Sequence, residues 1–236
     1  MIAPHGGRLV NRLTEGEKAE ELREKAQSLP RLVLNARELS DLDMIACGAM
    51  SPLEGFMGRE DYESVRDFMR LKTGLVWSLP VVLSCKEEPD KYPLDKEIAL
   101  CSPDGEPIAI MQVEDKYKVD KELEADRVLQ TTDPAHPGVQ YLQSISDVYL
   151  GGQVWVFQRK RDPRFERWWL DPKETRVLFK TKGWKTIVAF QTRNPIHRAH
   201  EYLQKCAMEF VDALLIHPLV GETKKGDIPA EVRMRC

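Results

Sequence analysis

Cysteine is scarce in this sequence and forms no recognisable motif. The 236 residues include five cysteines, an odd number, widely spaced and without a C-x-x-C pair. This distribution argues against a disulfide framework and against a compact zinc site. We therefore expect reduced thiols and a cytoplasmic protein.

Long apolar runs are also missing. No segment approaches the roughly 20 residues that a membrane-spanning helix needs. The N-terminal stretch MIAPHGGRLVNRLTEGEKAEEL lacks the apolar centre of a secretory signal. Both absences argue against a membrane partner.

Neither sign of charge predominates, because 35 Lys and Arg face 38 Asp and Glu for a net charge of −3. Such a chain has no bulk field to hold nucleic acid or a membrane surface, so we expect neither partner. Any anion must be bound by local geometry. The 42% hydrophobic content does suit a buried core.

The first part of the chain reads as a β-rich domain with a few helices, which we assign to residues 1–169. Short runs rich in Val, Ile and aromatic residues, such as EIALCS and GGQVWVFQ, are bounded by Gly, Pro and Asp, as strands are. The domain closes near the basic stretch QRKRDPRFERWW. We interpret this stretch as a solvated connector, with a functional basic patch as the alternative.

Residues 170–236 change to an α/β pattern. A helix is predicted from Pro172 to just before Gly183, followed by the apolar strand KTIVAF, a second helix, and the strand DALLIHPLVG. We expect KTIVAF to be buried on both faces of a parallel sheet. The fold class is therefore α/β, with a β-rich domain followed by a β-α-β unit.

The segment FQTRNPIHRAH, residues 190–200, crowds polar side chains at the junction of strand and helix, where α/β sheets bind ligands. Asn194 fits the helix N-cap and Pro195 the first helical position. The helix start offers free N–H groups and a positive dipole end to phosphate or sulfate. Arg193 can hold a tetrahedral oxyanion through two parallel hydrogen bonds. His197 and His200 share one helical face.

Plainer interpretations remain open for some of these residues. No Glu or Cys completes a ligand set around HRAH, which also lacks the H-E-x-x-H pattern, and this disfavours a metal site. Asn194 can be a purely structural helix cap. His5 and His217 read as satisfied polar residues without a functional role. Lys224 and Lys225 lie in a loop that either covers the nucleotide or is merely solvated.

The segment VAFQTRNPIHRAHEYLQKCAMEF resembles the active-site segment of ATP sulfurylase (sulfate adenylyltransferase), with its specific Q-T/x-R-N-P-x-H-x-x-H signature. Residues 48–58, GAMSPLEGFMG, residues 133–139, DPAHPGV, and residues 217–236 also resemble this family. On residue pattern alone, the first two segments are turn-rich and can simply shape the β domain.

The resemblance implies a PUA-like N-terminal domain and a Rossmann-like nucleotidylyltransferase domain, whose first part is residues 170–236. It also implies the reaction of MgATP with sulfate to give adenosine 5′-phosphosulfate and pyrophosphate, in sulfate assimilation or, in reverse, in sulfur oxidation. ATP and sulfate are the expected small-molecule substrates, with Mg²⁺ accompanying ATP and no protein metal site. We also expect a homo-oligomer.

By the same resemblance, Gln191 and Arg193 hold sulfate, Thr192 and Asn194 lie against the reacting phosphates, and His197 and His200 bind the departing phosphates. The implied catalytic residues are Thr192, Arg193, Asn194, His197 and His200. The implied ATP-binding residues are these five and Gln191.

The sequence departs from the family pattern at its end. A second motif, G-R-D-H-A-G-like, lies further along the family's catalytic domain, and Cys236 precedes any such segment. We interpret the sequence as an N-terminal part of a longer enzyme that lacks the second half of the site. Two alternatives stay open: another H-x-x-H nucleotidylyltransferase, or a non-catalytic PUA-like RNA-binding fragment.

Overall fold

The computed structural model describes residues 3–85, 89–220 and 226–236. Its described residues fall into two compact units, residues 3–173 and residues 174–236. The strands are β1 (Arg31–Val33), β2 (Gly55–Phe56), β3 (Leu83–Ser84), β4 (Glu97–Cys101), β5 (Pro107–Gln112), β6 (Asp115–Lys118), β7 (Val148–Val156), β8 (Ile187–Thr192) and β9 (Ala213–Pro218). The α-helices are α1 (Glu17–Ala26), α2 (Ala36–Ala46), α3 (Arg59–Phe68), α4 (Lys121–Glu124), α5 (Pro137–Ser144), α6 (Pro172–Thr181), α7 (Arg198–Met208) and α8 (Ala230–Arg235). A π-helical turn (Ala125–Leu129) follows α4, and 3-10 turns cover His5–Gly7, Pro89–Lys91 and Pro163–Trp168.

The first unit is organised around β7, which pairs antiparallel with four other strands. One half of β7 pairs with β3 and β6, and the other half pairs with β5. Among the described residues the sheet order is β1-β4-β5-β7-β2, with β3 and β6 branching from β7. A single strand shared in this way must bend between its two sets of partners.

The bend lies at Gly151 and Gly152. Gly152 has φ of 151°, which side chains rarely adopt, and a Cβ there would lie 1.9 Å from the carbonyl oxygen of Gln112. A larger residue would separate the strands at this point. The two glycines therefore allow β7 to pair with strands in both halves of the sheet.

The main core of the described residues lies inside this β-rich unit. Large apolar side chains from α2, α3 and most of the strands are fully buried, including Leu42, Ile45, Leu83, Ile98, Leu100, Ile108, Met111 and Leu150. The turn-rich segments at residues 48–58 and 133–139 form turns and helix starts in this unit, since Gly58 precedes α3 and His136 caps α5.

The prediction of a solvated connector is wrong for the first part of the basic stretch, residues 159–161, whereas Arg164 and Arg167 are exposed as predicted. The side chain of Arg159 is only 8% exposed and pairs with Asp43 of α2 and, at 2.7 Å, with Asp171. Arg161 also pairs with Asp171, and Lys160 with Glu106. Carboxylates from other parts of the first unit thus neutralise Arg159, Lys160 and Arg161, which the local charge pattern did not reveal.

The second unit contains the predicted β-α-β arrangement. Strand β8 pairs parallel with β9, from Ile187 opposite Ala213 to Thr192 opposite Pro218, and α7 connects them. Helix α6 begins at Pro172 as expected, and Gly183 follows its end with φ of 75°. The carboxyl ends of β8 and β9 therefore lie side by side.

The expectation that KTIVAF is buried on both faces is wrong for this structure. Strand β8 alternates between half-buried and exposed residues, and in residues 174–220 and 226–236 only Gln204, Ala213 and Arg233 are buried. Two strands and their connecting helix are too few layers to enclose a parallel strand. Apolar side chains such as Phe210, which is 87% exposed, remain open.

All five cysteines lie in the described residues, and none forms a disulfide. In the described part of the chain, every helix is too short or too polar to cross a bilayer.

A buried carboxyl group occupies the core of the first unit. Glu124 is 3% exposed, and its Oε2 accepts hydrogen bonds from the hydroxyls of Tyr62 at 3.0 Å and Tyr149 at 2.9 Å. The rings of the two tyrosines meet edge to face at 5.7 Å between centroids. Burial raises the pKa of Glu124 above its usual value, despite the two hydroxyl donors.

This raised pKa predicts a component of stability that is lost as the pH rises. Between the ordinary pKa of 4.5 and the higher folded-state pKa, the folded chain keeps a proton that the unfolded chain has released. The free energy of unfolding should fall across this window by at most about 1.4 kcal/mol per pH unit. Glu124→Gln keeps an acceptor oxygen and should remove this component, as urea unfolding at a series of pH values would measure.

Glu122→Gln is the matched control, because Glu122 is exposed on the same helix. It should leave the pH profile of unfolding unchanged. Parallel profiles for the Glu124→Gln variant and the unmodified chain would contradict a protonated Glu124.

Candidate active site

The helix that follows the polar junction begins later than predicted. Helix α7 starts at Arg198 with His197 as its N-cap, so the assignment of Asn194 as N-cap and Pro195 as first helical residue is wrong. His197 has an extended backbone, and its Nδ1 accepts from the N–H of Ala199 at 3.3 Å.

A local turn accounts for the displaced helix start. The hydroxyl of Thr192 accepts from the N–H of Asn194 at 3.0 Å and donates to the carbonyl of Asn194 at 3.1 Å. The hydroxyl group, the only donor of the Thr192 side chain, is therefore bonded within the loop. The side chain of Asn194 is exposed, and it has no hydrogen-bond partner in the described residues.

The two histidines are brought together, as their spacing predicted. Their rings stack with centroids 3.7 Å apart and planes tilted by 31°. His197 is exposed, whereas His200 lies between His197 and Phe190, whose ring centroid is 5.3 Å away. Because Nδ1 of neutral His197 is an acceptor at the cap, its Nε2 carries the proton and can donate to an oxyanion.

Arg193 lies in the loop between β8 and α7, where the sequence placed it. Its guanidinium pairs with the carboxylate of Asp227, and the two side chains are 33% and 19% exposed. An anion that binds Arg193 must displace this carboxylate or share the guanidinium with it. No local pattern in the sequence indicated Asp227, which is 34 residues away.

Arg233 of α8 was also missed from the sequence. It is 7% exposed, and its Nη1 donates to the main-chain carbonyls of Arg193 at 2.9 Å and Leu219 at 2.5 Å. Short-range patterns do not identify it, because its acceptors are main-chain atoms of distant residues.

Gln191 and His217 lie opposite each other in the β8–β9 register. Both are exposed, and neither side chain has a hydrogen-bond partner in the described residues. The interpretation of His217 as a satisfied polar residue is therefore wrong, whereas His5 does bond the carbonyl of Val76 at 2.8 Å. His217 borders the site and is available to a ligand.

No group of three or more His, Cys, Asp or Glu suited to a metal ion occurs in residues 3–85, 89–220 and 226–236. The predicted loop with Lys224 and Lys225 lies outside these described residues. What remains is a cluster of nitrogen donors: the Arg193 guanidinium, the His197 ring and the N-terminus of α7. This chemistry suits a ligand rich in anionic oxygens.

The sequence matches two family models, a PUA-like domain over residues 2–159 and an ATP-sulfurylase domain over residues 166–236. Among curated relatives, the sulfate adenylyltransferases of Nostoc punctiforme and Symbiobacterium thermophilum are 55% and 54% identical over all of this chain. A probable bifunctional SAT/APS kinase 2 of Sorangium cellulosum is 51% identical and matches over 41% of its own length.

Among solved structures, a hexameric APS kinase from Thiobacillus denitrificans aligns with a TM-score of 0.77 and 30% identity. The alignment covers all of this chain and 43% of that one.

The fold and the matches define a PUA-like domain followed by a nucleotidylyltransferase α/β unit. The chain belongs to the sulfate adenylyltransferase family, also called ATP sulfurylases. It spans 60% of the length of these curated sulfate adenylyltransferases.

The ion pair of Arg193 with Asp227 predicts that an internal carboxylate competes with bound anions. Asp227→Asn removes the negative charge and keeps the side-chain shape, so sulfate should bind more tightly. We expect a dissociation constant about three- to tenfold lower, the equivalent of about 1 kcal/mol for a partly exposed ion pair. Calorimetric titration of the 236-residue chain at constant ionic strength measures the change.

Glu209→Gln makes the same change in net charge at the far end of α7, where Glu209 is exposed. This control should leave sulfate binding unchanged. Weaker sulfate binding by Asp227→Asn would show instead that Asp227 orients the guanidinium for its ligand.

Proposed function

We propose that this protein acts as a sulfate adenylyltransferase, which joins ATP and sulfate into adenosine 5′-phosphosulfate and releases pyrophosphate. The proposal is supported most directly by the stacked rings of His197 and His200 at the start of α7 and by Arg193 in the same loop, directly after β8. This cluster presents several hydrogen-bond donors and one permanent positive charge to a polyanionic ligand.

The proposed reaction is an in-line displacement at the α-phosphorus. A sulfate oxygen forms a bond to this phosphorus as the bond to the oxygen that bridges to the β-phosphorus breaks. Pyrophosphate leaves with that electron pair. Sulfate is fully ionised at neutral pH, so no general base is required, and catalysis consists of positioning and charge stabilisation.

Each side chain of the cluster has a role in this scheme. Gln191 and Arg193 hold the sulfate, and Asn194 offers its amide to the reacting phosphates. The hydroxyl of Thr192 is engaged by the main chain of Asn194, so its contribution is the shape of the loop. His197, His200 and the α7 N-terminus bind the departing phosphates. Mg²⁺ enters as part of the MgATP substrate.

Assembly and compartment belong to the same proposal. The structural neighbour from Thiobacillus denitrificans is a hexameric APS kinase, which supports a homo-oligomer here. Five cysteines without a disulfide suit the reducing cytoplasm. Light scattering after size-exclusion chromatography should give a mass that is a multiple of 27.1 kDa, and a purely monomeric mass would contradict the oligomer.

The catalytic test joins this chain to the part of the Nostoc punctiforme relative that it does not match. This chimera should release pyrophosphate from MgATP when sulfate is added, and not when phosphorylated alcohols replace sulfate. Arg193→Ala should lower the sulfate-dependent rate by about 100-fold or more, because one preorganised donor to the oxyanion is lost.

Lys205→Ala is the matched control, because Lys205 is exposed on α7 and, among the residues that the structure describes, pairs only with Glu201 of the same helix. Its rate should stay within about twofold of the unmodified chimera, as for most surface substitutions. Full activity of a folded Arg193→Ala chimera would remove Arg193 from the sulfate site.

A further inference from the structure

Arg233 differs from the other deeply buried arginine of this chain in how its charge is balanced. Arg159 is paired with the carboxylates of Asp43 and Asp171. Within the described residues, Arg233 takes part in no ion pair, and its buried Nε has no hydrogen-bond acceptor. Keeping a guanidinium buried with only carbonyl partners costs free energy, so a role beyond packing is indicated.

The two acceptors of Arg233 lie where the candidate site is built. Arg193 follows β8 directly and Leu219 follows β9 directly, so one Nη1 joins the main chain at both strand ends. The N–H of Leu219 also donates to the carbonyl of Thr192 at 2.9 Å. The main chain on either side of Arg193 is thus linked to the end of β9.

We propose that Arg233 is a positioning residue for the sulfate subsite, holding the main chain of Arg193 so that its guanidinium points at the anion. This inference rests on the proposed function and assigns a second arginine to it. Arg233 acts through Arg193 and does not touch the substrate.

The physical reason is the sensitivity of a bidentate contact to direction. A planar guanidinium holds a tetrahedral oxyanion through two parallel hydrogen bonds only when its plane and distance are correct. The Thr192–Asn194 hydrogen bonds and the His197 cap shape the loop between β8 and α7, but neither bonds the main-chain carbonyl of Arg193, which Arg233 holds. The charge of Arg233, which forms no ion pair among the described residues, also adds positive potential next to the main chain of Arg193.

The test measures sulfate and nucleotide binding separately in the 236-residue chain. Sulfate is titrated by calorimetry in the presence of Mg²⁺ and the non-cleavable analogue α,β-methylene-ATP, and the analogue is also titrated alone. Arg233→Met should weaken sulfate binding by about tenfold or more, since small misplacement of a binding group has large effects. Affinity for the analogue should stay within about twofold, because Arg233 bonds neither histidine.

Arg233→Lys should restore part of the sulfate affinity, because an ammonium can still donate to one or both carbonyls. Arg235→Met is the matched control, since Arg235 is exposed on the same short helix, and it should change neither affinity. If Arg233→Met does not fold, Arg233→Lys is tested alone. A ratio of sulfate to nucleotide affinity below that of the unmodified chain would support the inference, and an unchanged ratio would overturn it.

Unchanged sulfate affinity in the Arg233 variants would overturn the inference and leave the proposed function intact. An equal loss of both affinities, together with a lower thermal midpoint and no rescue by lysine, would also overturn it, since this is the signature of a merely structural residue. If the unmodified chain bound neither ligand, the proposed function would fail together with the inference.

Discussion

The parallel pairing of β8 with β9 is the constraint on which the candidate site depends. Parallel strands end at the same edge of the sheet, so Gln191 and His217 are neighbours and the loops that follow share one surface. The following helix, α7, turns its N-terminus towards the same edge. Arg233 then joins the two strand ends through their carbonyl oxygens. Without this register, the arginine and the histidines would be polar residues on an exposed loop.

The two units differ in how they achieve stability. The β-rich unit has a continuous core around β7 and even accommodates a carboxyl group, because two tyrosine hydroxyls bond Glu124. The second unit buries only three of its described residues, and two of them, Gln204 and Arg233, are polar. Its polar site and its exposed apolar side chains thus belong to a thin layer. Main-chain hydrogen bonds and ion pairs stabilise much of the local structure in this layer.

Much of the fold was predictable, because local patterns of residue types in the sequence indicate it. Alternating β-branched residues bounded by turn residues identified the β-rich domain, and Pro172 with Gly183 bracketed a helix. The spacing of His197 and His200 placed both on one helical face, and their rings do stack. The start of α7 was mispredicted because Asn-Pro is a good helix start in general, whereas here the Thr192 hydroxyl closes a turn first.

The sequence by itself determined the chemistry of the site, since the kinds of donor and their order follow directly from residues 190–200. Only the tertiary structure decided their partners. Asp227 and Arg233 come from 34 and 40 residues further along the chain, and Asp43 reaches Arg159 across 116 residues. Periodicity and capping rules act over a few residues, whereas such pairs form only when the chain returns to the same edge or core. For that reason the charge balance around both buried arginines could not be predicted from the sequence.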